Sequence, residues 1–182
     1  MTEAELQEAY RRIDEAQAEL DSTRSELRDI VGIRTDIIGE LQKRFDNSSM
    51  KVDAQTGTIT FSSDVLFRYN SDRLTPESKA TLTEIIPMYL GVLLQDAFRP
   101  YISEIIIEGH TDTDGGYQSN MVLSTGRADS VASFCLDPEN GLTPEQIEQL
   151  QKMLTVNGRS YSVPIMDAST GEVDMAASRR VE

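Results

Sequence analysis

From residue 2 to about residue 46 the apolar positions recur at heptad spacing, with no proline and no glycine before Gly32. Leu6, Ile13, Leu20, Leu27 and Leu41 form one row, with Arg34 its only charged member. Ala9, Ala16, Thr23, Ile30 and Ile37 form a second. Two such rows sustained for about five heptads predict a coiled-coil helix over residues 1–46. The alternative is one amphipathic helix folded onto the domain. The narrow seam and its charged flanks favour self-association, hence a homodimer. Small Ala and Thr weaken the first half, so Ile30, Ile37, Ile38 and Leu41 are expected to carry most of the association.

The pattern changes after "FDNSS", and a compact domain is expected over residues 48–182. "MKVDAQTGTITF" predicts a hairpin turning at Asp53 to Gly57. "LTPESKATLTEIIPMYLGVLLQDAF" predicts a helix with Thr75 as N-cap and Pro76 at its first position, kinked or split at Pro87. "EIIIEG" is a β-branched run too short for a helix and predicts a buried strand. Apolar spacing at Val122, Leu123, Ala128, Val131, Phe134 and Cys135 predicts a helix over 117–136. "LTPEQIEQLQKML" predicts another, with Thr143 and Gln146 as a capping box. "SRRVE" reads as a closing strand that the sequence leaves incomplete. The expected class is α+β, a mixed sheet with helices packed on it, preceded by the coiled-coil helix.

Charge and composition narrow the function. The net charge of −14, from 31 acids against 17 bases, excludes nucleic acid as a partner by simple repulsion. No run approaches the roughly 20 apolar residues that span a bilayer. The acidic start "MTEAELQEAY" does not resemble a signal peptide. A single cysteine, Cys135, rules out an internal disulfide and a thiolate metal cluster, and its helical spacing places it in a core.

The candidate chemistry lies in "IIIEGHTDTDGG", residues 105–116, where the strand breaks into a loop with the chain's only histidine. His110, Asp112 and Asp114 lack the spacing of a calcium loop and the nitrogen or sulfur ligands of a zinc site, so no metal is expected there. Neither phosphate-binding glycine pattern occurs, and two carboxylates would repel a phosphate. His110, Asp112 and Ser124 lack a nucleophile elbow, so no catalytic residues and no cofactor are expected. Recognition remains. Asp112 at a strand end and Arg127 roughly 16 Å along the next helix could face one cavity and hold a zwitterion, ammonium to Asp112 and carboxylate to Arg127. They could equally form a structural salt bridge; spacing does not choose.

"GHTDTDGGYQSNMVLSTGRADSV" resembles the signature of OmpA-like peptidoglycan-binding domains, found at the C-termini of OmpA and of the flagellar stator protein MotB. Thr111, Asp112, Gly115, Asn120, Leu123, Ser124, Arg127, Ala128 and Val131 carry the match. "DVLFRYNSDRLTPES" and "SRRVE" extend it, so that it covers roughly residues 48–182. Arg73 and the long stretch 137–178 depart from the smaller members.

The resemblance implies a non-enzymatic wall anchor. Asp112 and Arg127 would hold the diaminopimelate of a peptidoglycan stem peptide, Thr111 stands in the same loop, and Asn120 would order that loop. Asn70 and Ser71 would line the pocket, and Arg180 would touch the wall peptide or support the site. It further implies a homodimer on the cell-wall side of the cytoplasmic membrane, in the periplasm, tethered to a membrane partner through a preceding segment. With its coiled coil the layout is most similar to MotB-type stator proteins, including those of the Zorya anti-phage defence system. A peptidoglycan hydrolase is the competing class.

Overall fold

The computed structural model describes residues 3–46, 48 and 50–182. Helix α1 (Glu3–Phe45) is continuous, about 64 Å long at 1.5 Å per residue. Charged pairs such as Arg11 with Glu8 and Glu15 lie along its exposed face. Its apolar row is exposed at Leu6, Ile13, Leu20 and Leu27, and Ile30 beside it is 59% exposed. The last three turns differ: Ile37, Leu41 and Phe45 are buried. They join the core beside helix α3 (Pro76–Leu93), and the Phe45 ring meets Tyr89 edge-on at 6.4 Å. This corrects the expected seam. Ile37 and Leu41 are buried inside their own chain, so the exposed apolar row runs only from Leu6 to Ile30. Arg34 marks the change of face, donating from Nη2 to the carbonyl of Gln55 at 2.7 Å.

The 50–61 hairpin reduces to one antiparallel bridge, Val52 to Ile59. Its turn is held by Asp53 Oδ1, which accepts from the amides of Gln55 and Thr56. Strand β1 (Phe61–Ser62) follows, then the single-turn helix α2 (Ser63–Leu66). Helix α3 begins where expected: Thr75 Oγ1 accepts from the Ser78 amide and Pro76 occupies the first position. It runs through Pro87 unbroken as one helix.

Strand β2 (Ile105–Gly109), helix α4 (Tyr117–Leu136), helix α5 (Pro144–Gln151) and strand β3 (Leu154–Gly158) make a parallel crossover. The capping box at Thr143 and Gln146 is formed. After the short helix α6 (Met175–Ser178), strand β4 (Arg180–Val181) inserts antiparallel between β1 and β2. The sheet order is therefore β1-β4-β2-β3.

Buried Val131, Ala132, Phe134 and Cys135 place one face of α4 on the sheet, whereas Val122, counted with that face by its spacing, is exposed. Burial pushes the Cys135 thiol up to about 12, so it behaves as a small apolar filler. No helix among the described residues is long and apolar enough to cross a membrane.

Candidate functional site

The loop after β2 is held in place by α4, and two glycines set how close α4 comes. Gly109 and Gly158 are partners in the β2–β3 register. A Cβ on Gly109 would lie 2.0 Å from the carbonyl oxygen of Ser124, and one on Gly158 2.0 Å from Thr125 Oγ1. With no side chains there, the middle of α4 rests directly on the strand ends. Ser124, fully buried, accepts from the Ser160 amide at 3.0 Å through Oγ. The Thr111 amide in turn donates to the Ser160 carbonyl at 2.9 Å. The loops after β2 and β3 and the helix thus form one hydrogen-bonded unit.

Within it, Asn120 is buried and donates from Nδ2 to the Asp114 carbonyl at 2.7 Å, closing the 111–116 loop against the first turn of α4. Gly115 sits at φ +86, where a side chain would be strained. Asp112 lies on the inner side of the loop, its side chain 13% exposed, and Oδ1 accepts from the Asp114 amide at 3.1 Å. Thr111 is buried, and its Oγ1 has no hydrogen-bond partner among the described residues.

Arg127 is 4% exposed. Its Nε donates to the Ser71 carbonyl at 3.0 Å, and its guanidinium carbon stands 5.3 Å from the centre of the Phe67 ring. Both Nη groups are without a hydrogen-bond partner among the described residues. Burial lowers the pKa of this guanidinium, while Asp64, Asp112 and Asp72 favour its charge and Arg179 opposes it; arginine remains protonated regardless. The 68–75 loop meets α4 at Gly126, where a Cβ would lie 2.6 Å from Asp72 Oδ2 and would displace that side chain. Asn70 in that loop is exposed and sits in the left-handed region at φ 53.

Asp112 is near enough to Arg127 to favour its charge, Ser71 bonds Arg127 and Asn120 holds the loop that carries Thr111 and Asp112, without an ion pair between Asp112 and Arg127. The partner of Asp112 is Arg179. Its Nη1 donates to Asp112 Oδ2 at 2.8 Å and its Nη2 to Asp64 Oδ2 at 3.0 Å. Those two carboxylates, Asp64 first, raise the Arg179 pKa. Sequence reasoning named Arg180 instead. Arg180 is buried and bonds Glu182 and the Val163 carbonyl, none of them part of this cluster. Adjacent strand residues face opposite ways, and the pairing of Val181 with Gly109 decides which one faces the loop. Only the "RR" doublet hinted at Arg179.

Comparison with known proteins matches the family model of the OmpA family to residues 66–177. The Zorya protein ZorB of Escherichia coli is 36% identical over 151 residues, covering 78% of this chain and 62% of that protein. The outer-membrane lipoprotein YfiB of Pseudomonas aeruginosa is 38% identical over 120 residues, covering 66% and 61%. The chain thus spans about three-fifths of the length of these relatives. Among solved structures, a protein described as MotB-like from Desulfovibrio vulgaris superposes with TM-score 0.59 at 21% identity, over 85% of this chain and 91% of the other. The cell wall anchor of the T6SS from Pseudomonas aeruginosa gives 0.51 at 22%, over 81% and 94%. At such identities the two structures speak for the fold, while the sequence matches speak for descent. This chain belongs to the OmpA family.

Proposed function

We propose that the chain is a non-enzymatic cell-wall anchor that holds the diaminopimelate of peptidoglycan stem peptides and tethers a stator-like membrane complex as a dimer. The observation that carries this reading is Arg127. It is buried, fixed through Nε and the Phe67 ring, and both Nη groups are left for a ligand. A planar fork held this way suits a carboxylate. Asp112 supplies the other end, since its Oδ1 accepts only a local amide and can take an ammonium. Asp64, Asp72, Asp112 and Arg179 all act on the Arg127 charge, so groups of both signs stand near the position, as a ligand with one ammonium and one carboxylate needs.

The test is a competition series on purified sacculi. Free diaminopimelate is expected to displace the chain, and a derivative amidated at the carboxylate facing Arg127 to displace it poorly. Equal competition by the two would sink the zwitterion mechanism. Clearing of sacculus turbidity by the chain itself would make it a hydrolase instead.

Arg179 orients Asp112, and Arg179→Gln is expected to weaken sacculus binding about fivefold, the equivalent of one hydrogen bond of roughly 1 kcal/mol. Unchanged affinity in a pull-down titration would remove Arg179 from the site.

The dimer is supported by the exposed row Leu6, Ile13, Leu20 and Leu27. An apolar groove of about 750 Å³ continues it beside Ile30, Ile38 and Ile106. Deleting residues 3–29 is expected to convert a dimer to a monomer with the domain folded, read by light scattering. A monomeric intact chain at micromolar concentration would refute the pairing. Ile37→Asp does not isolate this effect, because Ile37 belongs to the domain core. Since the wall is anionic and this chain carries −14, long-range attraction contributes little, and two linked domains would strengthen a weak site by avidity. Similarity to two Zorya ZorB proteins, at 36% and 30% identity, supports a Zorya-type stator as the complex served.

A further inference from the structure

On the sheet face turned away from α4, strands β2 and β4 bring together residues that the wall-binding site does not use. Glu108 and Glu182 exchange both backbone hydrogen bonds at 2.9 Å, and the His110 amide donates to the Arg180 carbonyl at 2.8 Å. Glu108 and Glu182 therefore stand directly opposite each other, with His110 two residues along on the same face. The His110 ring is 1% exposed, and neither ring nitrogen has a hydrogen-bond partner among the described residues. Its Nε2 lies 3.8 Å from Glu108 Oε2 and 3.8 Å from Glu182 Oε2.

The other carboxylate oxygens are already engaged. Glu182 Oε1 accepts from Arg180 Nε, and Glu108 Oε1 accepts from Asn157 Nδ2 at 3.3 Å with Arg159 Nε 4.0 Å away. Each glutamate is thus oriented by one oxygen and presents the other to the imidazole. This is how partners behind a metal site aim its ligands.

We propose that Glu108 Oε2, His110 Nε2 and Glu182 Oε2 bind a first-row divalent cation of the zinc class. The three ligand atoms lie within 4.8 Å of one another. A tetrahedral ion with bonds of roughly 2.0–2.2 Å spaces its ligands roughly 3.3–3.5 Å apart. The gap from 3.8 Å is small, and the glutamate side chains, 27% and 29% exposed, have room to close it. Their exposed side also leaves entry for the ion and for water as a fourth ligand.

One imidazole with two carboxylates suits zinc, manganese or ferrous iron and disfavours copper(I), which prefers sulfur. Burial, reinforced by Arg180, lowers the imidazole pKa and favours the neutral form that ligates. The occupant that competes with the cation is a proton on Nε2. An ion here would clamp β4 to β2 at the point where β2 leads into Asp112 and β4 follows Arg179, making it a structural brace for the loop.

The experiment uses the full chain stripped with chelator and titrated with Co²⁺, then Zn²⁺. The chain has a single histidine, so its imidazole proton signals belong to His110 alone. Expected are visible cobalt absorption saturating at one equivalent, displacement by Zn²⁺, and a shift of those imidazole signals with Zn²⁺. Glu108→Gln and Glu182→Gln should each bind at least about tenfold more weakly, and Asp96→Asn, an exposed acid elsewhere, should bind normally. Imidazole signals unmoved by Zn²⁺ would overturn the proposal, even if a glutamine variant fails to fold. So would glutamine variants that bind as the wild type does.

Discussion

Asp112→Asn and Arg127→Lys are each expected to weaken sacculus binding on the order of ten- to a hundredfold, the loss of one charge-assisted hydrogen bond of roughly 1.5–3 kcal/mol. Conservative replacements are needed because both residues also hold the protein together. Arg127 supports the 68–75 loop through Ser71 and stacks on Phe67, so an alanine there would lower the melting temperature as well as the affinity. Lysine keeps the charge and loses the fork. Asparagine at 112 keeps one acceptor, enough for the Asp114 amide, but gives up the Arg179 bond and removes the charge that an ammonium needs. The double variant should be little worse than either single one, since both groups grip one ligand. Binding by the single variants within twofold of wild type, with a lowered melting temperature, would make the two residues structural only.

Gly109→Ala is expected to be the most destabilising single-methyl change at this site. The new Cβ would lie 2.0 Å from the Ser124 carbonyl oxygen and 2.9 Å from its carbon. Both are backbone atoms of a helix interior, so no side-chain rotation relieves the clash. Helix α4 must lift from the sheet, carrying Arg127 and Asn120 with it. A cost of about 3 kcal/mol or more follows from overpacking of this kind. That lowers the melting temperature by roughly 6–12 °C for a chain of this size. Sacculus binding should fall in parallel, because the geometry of the loop depends on the same contact. Gly91→Ala is the control: its Cβ meets nothing within 4 Å inside α3, so it should stabilise by roughly 0.5–1 kcal/mol. A Gly109→Ala protein that melts like wild type would show that the sheet and helix are not held at this distance.

Local chemistry was legible in the sequence, because it depends on residues only a few positions apart. The Thr75 and Thr143 caps, helix α4 and the strand before His110 all lie where period and capping place them. Asp112 and Arg127 could be named as candidates for the same reason, whereas Asn120, in the first turn of α4, could be named only through the family resemblance. Strand β3 was missed: the apolar–polar alternation in "LTVNG" runs for only four residues, too short to stand out, and β2 supplies the ladder that makes it a strand.

What the tertiary structure decided is everything that depends on strand register and on which face of α1 meets the domain. Registers of residues about 70 apart in sequence give the Asp112 contact to Arg179 and set Glu108 opposite Glu182. A shift of one residue would exchange the faces of Arg179 and Arg180 and disperse the His110 cluster, yet leave every local pattern unchanged. The heptad rows of α1 likewise say that apolar residues need a partner. They cannot say that the last three turns find theirs in the same chain, because burial by one's own core and burial by a second copy use the same side chains at the same spacing.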